Sequence, residues 1–176
     1  MIKTLLKYFS FLVLLCIWVT PLRAQQSSIT TATVPHLGDT MPNFQFVLAD
    51  GRNVVETKSI QNGLPTVFVF FSPECSHCKV LLRSIATQAS FFDSVNLCVL
   101  SAALPQEALW QFAKELHLVD LAFMTIAMDA QSDFVSYFSL SQVPAAFYYD
   151  KYKVLRRVDL KPENFNSIKQ LCQNKL

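Results

Sequence analysis

Thr66–Cys78 reads TVFVFFSPECSHC. The run Val67–Phe71 is short, wholly apolar and β-rich, the pattern of a strand buried on both faces as in a parallel sheet. Pro73 then turns the chain, and Cys75 and Cys78 follow with His77 against the second. Beyond them Val80, Leu81, Ser84, Ile85 and Gln88 interleave with Lys79, Arg83 and Thr87 at helical spacing. Cys75 therefore arrives at a helix N-terminus, where unsatisfied N–H groups and partial positive charge favour thiolate over thiol. Cys78 falls on the same helical face one turn deeper. An exposed attacker and a shielded resolver are what dithiol exchange needs. The Cys75 thiolate would open a partner disulfide, and Cys78 would then release the partner by attacking Cys75. In open α/β sheets, sites lie beyond the carboxyl ends of strands, which is where this motif falls.

Outward from that junction the chain alternates. FQFVLADGRNVVET (44–57) reads as a hairpin around Asp50-Gly51. VNLCVLSAA (95–103) is a second apolar strand, and LPQEALWQFAKELHL (104–118) is a helix with Pro105 near its start. AFMTIAM (122–128) is a short strand, after which Asp129 is placed to cap a brief helix in AQSDFVSYF (130–138). SQVPAAFYYD (141–150) is a strand entered through Val143-Pro144, with one ring of Tyr148-Tyr149 in and one out. KYKVLRRVDL (151–160) is its antiparallel partner, joined by a turn near Asp150-Lys151, with Arg156-Arg157 read as solvated. KPENFNSIKQLC (161–172) is a closing helix with Pro162 in its first turn. This order argues an α/β sandwich.

The first residues read differently. Lys3 and Lys7 precede the apolar run Tyr8–Val19, and a breaker and Ala24 follow, the pattern of a cleaved signal peptide over residues 1–24. The run is short for a membrane span, which needs ~20 apolar residues; an uncleaved N-terminal anchor is the other reading. Residues 25–33, QQSSITTAT, form a polar linker, and residues 34–176 the folded domain. Loss of residues 1–24 removes Lys3, Lys7 and Arg23 and no acids, which leaves 12 basic against 13 acidic residues. No basic stripe suggests nucleic acid. Cys16 leaves with the signal, so Cys75, Cys78, Cys98 and Cys172 remain. Cys98, mid-strand, reads as core filler; Cys172 reads as core edge, with a bridge between the two left open.

The strand-plus-dithiol VFVFFSPECSHC, the entry segment LGDTMPNFQFVLADGRNV (37–54) and the QVPAAFYYD segment (142–150) together resemble the thioredoxin superfamily. The likeness is to exported TlpA/ResA-type thiol–disulfide oxidoreductases, which share a domain with AhpC/TSA-type redoxins. It runs from about Val34 to Leu171. It implies a thioredoxin-like three-layer α/β/α sandwich with a mixed central sheet and an N-terminal β-hairpin extension. It also implies that Pro144 is cis and faces the dithiol, and that the Val143 backbone pairs with an extended substrate segment. The activity implied is extracytoplasmic disulfide exchange with protein thiols, in a bacterial periplasm, served by a membrane redox relay, with no cofactor beyond the Cys75–Cys78 couple.

The chain departs from the superfamily pattern at three places. Glu74 stands where thioredoxins usually carry Trp, Val69 where they carry a buried acid, and His77 where they carry Pro. His77 would stabilise a Cys75 thiolate and make the couple more oxidising; an inert exposed residue is the alternative. Glu74 would raise the thiol pKa or be a plain helix-start acid. Other readings of the cysteines fare worse. Zinc needs four ligands, and His36 and His117, read as loop and helix-end residues, lie at no ligand spacing, so no metal site is expected. Lys79 follows Cys78 where haem attachment would need His. Ser72 fits a peroxidatic motif but Phe68 does not. A non-catalytic binding or metallochaperone module on the same fold, or a thiol peroxidase, stays open.

Overall fold

A computed structural model describes residues 35–173. The expected signal peptide, its cleavage point and the 25–33 linker lie outside the described residues. The first expectation met is the hairpin. Strands β1 (Gln45–Leu48) and β2 (Val54–Glu56) pair with Phe46 opposite Val55. The Asp50 carboxylate accepts the N–H groups of Arg52 and Asn53 and the Asn53 side-chain amide, at 2.9, 3.1 and 2.6 Å. Gly51, at φ +69°, takes the left-handed turn position that suits glycine.

The remaining strands are β3 (Thr66–Phe71), β4 (Asn96–Ala102), β5 (Met124–Asp129), β6 (Ala145–Tyr149) and β7 (Leu155–Asp159). They join the hairpin in one sheet of order β2-β1-β5-β4-β3-β6-β7. Strands β3, β4 and β5 are parallel, while β6, β7 and β1 run antiparallel to their neighbours. Every residue of β3 is buried, as its unbroken apolar run requires. Its side chains alternate between two cores. Val67, Val69 and Phe71 face helices α1 (Ser76–Ala86), α2 (Gln106–Glu115) and α4 (Phe165–Gln173). Phe68 and Phe70 face the short helix α3 (Asp133–Phe138) and Phe44. The three-layer mixed-sheet sandwich is thus present, with one face far more heavily covered than the other.

On the lighter face, rings substitute for helices. Phe134 is fully buried and meets Phe44, Phe46, Phe68, Phe70, Phe138 and Phe147 at centroid distances of 4.7–6.0 Å. Aromatic pairs add to the burial of their area. A six-residue helix could not hold its place by backbone bonds alone, so Phe134 anchors it.

Asp129 caps α3 as read, from the last position of β5: buried, its carboxylate accepts the Asp133 and Val135 N–H groups at 3.1 and 3.0 Å. Three local readings are corrected. α1 stops at Ala86, a 3-10 turn over Ala89–Ser94 replaces its expected extension, and Val80 points to solvent while Leu82 takes the buried position. Pro162 lies ahead of α4, because Asn164 starts the helix by accepting the Asn166 N–H on its side chain at 2.9 Å. Arg156 and Arg157 are engaged, not simply solvated. Arg156 pairs with Asp150 at 2.7 Å; Arg157 lies 5.4 Å over the Tyr148 ring and donates to the Leu171 carbonyl. Burial of Tyr149 with exposure of part of Tyr148 matches the in-and-out reading.

Phe134→Ala should lower stability by about 3–5 kcal/mol, the range for a fully buried phenylalanine, read as a shift of the urea unfolding midpoint with an unchanged slope.

Candidate active site

The candidate site is built by the carboxyl end of β3. After Phe71 the chain turns through Ser72–Glu74, and the Cys75 N–H donates to the Ser72 carbonyl at 3.1 Å. Cys75 then occupies the cap position of α1, with extended φ and ψ of −80° and 110°. Its sulfur accepts the Cys78 N–H at 3.0 Å, the role an oxygen plays in an ordinary cap. No acidic side chain occupies the first turn of α1 to offset its N-terminal partial charge. Cys75 and Cys78 are joined as a disulfide with Cα atoms 5.2 Å apart. Cys75 is half-buried and Cys78 completely buried. Only the first sulfur is open to attack from outside.

The loop before β6 meets this sulfur. Antiparallel pairing of Ala145 with Phe70 sets the start of β6 beside the end of β3. The Val143 carbonyl oxygen consequently lies 3.9 Å from Cys75 Sγ, and the Val143–Pro144 peptide bond is cis, as the resemblance implied. No described residue accepts a hydrogen bond from the Val143 N–H. A cleft of about 300 Å³ opens here, lined by His77, Gln142, Val143, Pro144, Pro162 and the flanking Lys161 and Glu163. Pro144 and Pro162 are buried in its floor, and His77, Lys161 and Glu163 are exposed at its rim.

Of the expected site residues, Cys75, Cys78, Val143 and Pro144 are brought together. His77 is exposed and faces the proline cleft. Glu74 is held elsewhere: the Ser72 hydroxyl foremost, and its own backbone N–H, keep its carboxyl below the usual carboxylate range. It is therefore ionised at neutral pH, on the residue that precedes Cys75. Val69 is fully buried and supplies no proton acceptor beneath the dithiol. Sequence reasoning missed Gln142 and the 161–163 segment. Only Pro162 carried a signal, and it was compatible with an ordinary helix start.

The other two cysteines occupy opposite faces of the sheet. Cys98 is buried among Phe68, Phe70 and Phe147, while Cys172 packs against the core under α1, α2 and α4. Both are free, and the sheet between them rules out a bridge. Burial pushes each thiol up to about 12.

No protein-family model and no curated protein matches the sequence. Solved structures do resemble the fold. The thioredoxin domain of a thiol–disulfide oxidoreductase from Bacteroides vulgatus superposes with a TM-score of 0.63 at 15% identity, covering 78% of this chain and 98% of that one. StoA from Bacillus subtilis gives 0.60 at 17% identity, covering 73% and 95%. A secreted Mycobacterium tuberculosis disulfide oxidoreductase homologous to E. coli DsbE gives 0.58 at 19%, covering 69% and 85%. At such identities the likeness is one of fold, and the fold is that of thioredoxin.

Thiols held near 12 are almost wholly protonated at neutral pH and react slowly. After reduction, brief iodoacetamide treatment of the native protein should label Cys75 and leave Cys98 and Cys172 unlabelled until denaturant is added. Peptide mass mapping checks this.

Proposed function

We propose that this protein is an enzyme that exchanges disulfides with partner proteins through Cys75 and Cys78. The observation that carries the reading is the asymmetry of the pair: one sulfur half-open at a helix N-terminus, the other sealed beneath it. In the reducing direction, the Cys75 thiolate attacks a sulfur of the partner disulfide, the partner's other sulfur leaves as thiolate, and a mixed disulfide forms. Cys78, deprotonated, then attacks Cys75 Sγ, expels the partner's second thiolate and regenerates the intramolecular disulfide. The reverse sequence donates a disulfide. In the reduced state the Cys78 N–H and the amino end of α1 stabilise the Cys75 thiolate.

Val143 and Pro144 form the substrate wall in this reading. The free Val143 N–H and the carbonyl beside Cys75 offer an extended partner segment strand-like hydrogen bonds at the reacting sulfur. His77 and Glu74 tune the couple in opposite senses. The imidazole supplies a donor on the cleft side, and the ionised Glu74 disfavours thiolate.

The N-terminal sequence pattern supports export, and the secreted M. tuberculosis neighbour is consistent with it. We place the protein in a bacterial periplasm, after signal cleavage or held by its N-terminal segment. Exchange with protein thiols there needs a membrane redox relay as the source or sink of electrons. The direction follows from the reduction potential of the couple: near ~−270 mV it is a reductant, near ~−120 mV an oxidant.

Cys78→Ala should accumulate mixed disulfides with partner proteins in the native compartment, seen as species that collapse on reduction. The parent protein should reduce insulin or transfer a disulfide to a reduced substrate, and absence of both trapping and transfer would sink the proposal. His77→Ala should move the Cys75–Cys78 potential to more negative values by on the order of 30 mV, equivalent to about 1.4 kcal/mol for a two-electron couple. Equilibration against glutathione measures it.

A further inference from the structure

We propose that Asn62-Gly63 is a site of spontaneous covalent modification, at which the asparagine amide is converted to aspartate and isoaspartate. The two residues form an exposed turn between the hairpin and β3, with Gly63 at φ +84° and no heavy atom within 4 Å of where a Cβ would stand. Glycine without a side chain leaves its backbone nitrogen open to approach from the preceding residue.

The chemistry needs two free groups, a side-chain carbonyl carbon and the following backbone nitrogen. The Gly63 nitrogen attacks the Asn62 Cγ, a new N–C bond closes a five-membered ring, and the amide C–N bond breaks. Ammonia departs with the proton lost by the Gly63 N–H, and a succinimide remains. Water adds to either carbonyl of that ring and opens it to aspartate or isoaspartate. No oxidant or reductant is involved.

Among the described residues, Asn62 is set apart from the other asparagines by both requirements. The Asn43 side chain accepts the Lys58 N–H, and the next N–H, of Phe44, donates to Thr57 Oγ1. The Asn53 amide is bound to Asp50, and that of Asn96 to the Gln61 carbonyl. Asn164 accepts the Asn166 N–H, and the Phe165 N–H donates to Ser84. Asn166 is followed by a Ser167 N–H bound to the Asn164 carbonyl. For Asn62 neither its side chain nor the Gly63 N–H has a described partner. The chemically related Asp50-Gly51 pair is shielded: its carboxylate takes three hydrogen bonds and the Gly51 N–H donates to Leu48. Composition alone would rank the two Gly-containing pairs together; the hydrogen bonds separate them.

The product carboxylate would lie in a hollow that Asn62 shares with Lys58 and Lys153. Lys153 already holds this loop, donating from Nζ to Thr66 Oγ1 at 2.9 Å and to the Gln61 carbonyl at 3.3 Å. The site lies at the amino end of β3, the dithiol at its carboxyl end, so the modification marks the chain without touching the exchange chemistry.

The test is incubation of the whole purified protein at mildly alkaline pH, followed by peptide mapping and enzymatic isoaspartate labelling. The tryptic peptide 59–79 contains Asn62 as its one asparagine. It is expected to gain the acid mass and the isoaspartate label several-fold faster than peptides carrying Asn43, Asn53, Asn96, Asn164 or Asn166. Asn62→Gln, which leaves the fold's hydrogen bonds intact, should abolish the signal and leave disulfide exchange unchanged. A peptide 59–79 that stays unmodified in the native protein while it converts in the urea-unfolded chain would overturn the proposal. So would conversion no faster than at the other asparagines.

Discussion

The pairing of β3 on both sides, with β4 in parallel and β6 in antiparallel, is the constraint on which the rest depends. A strand with two partners and two covered faces leaves no polar backbone unpaired and no apolar side chain exposed. Burial of Val67, Val69 and Phe71 on one side and Phe68 and Phe70 on the other then sets where the two helical layers must lie. At about 25 cal/mol per Å² of apolar surface removed from water, five such residues in one strand outweigh local propensity.

That central position also makes the site. The parallel pairing with β4 sends α1 back across the heavier face, so its amino end must start at the carboxyl end of β3. The antiparallel pairing with β6 brings Val143 to the same point from the opposite chain direction. Cys75 sits where these meet, capping the helix with its sulfur, and Cys78 is carried into the core by one helical turn. Rigid elements hold both sulfurs, which is what the proposed exchange requires. The rim is polar and of mixed sign, with Glu74 ionised on the turn and His77, Lys161 and Glu163 around the proline cleft.

Legibility varied with the range of the interaction. The Asp50-Gly51 turn was readable because its hydrogen bonds close within three residues. β3 was readable because its composition leaves no exposed alternative. The role of Asp129 was half readable: an acid ahead of a short helix is a cap signal, but the sheet extends to include it, so it caps from within β5. Arg157 was misread because nothing local announces that α4 ends above it and that Tyr148 lies beneath. The helical period after Cys78 overran Ala86 because the pattern there is compatible with helix, while Thr87 and Gln88 in fact close the turn.

The sequence by itself determined the buried strand, the dithiol at its end and the order of strands and helices, since periodicity and turn chemistry record which side of each segment must leave water. Only the tertiary structure decided what faces Cys75. Val143, whose carbonyl oxygen lies 3.9 Å from its sulfur, comes from a loop 68 residues away, and the cleft on the far side of Val143-Pro144 is completed by Lys161, Pro162 and Glu163 from the approach to the last helix. It likewise decided that Cys98 and Cys172 lie on opposite faces of the sheet. Those neighbours are set by which strands pair and in which direction. Pairing is a property of chain closure around the whole core, not of any window of residues.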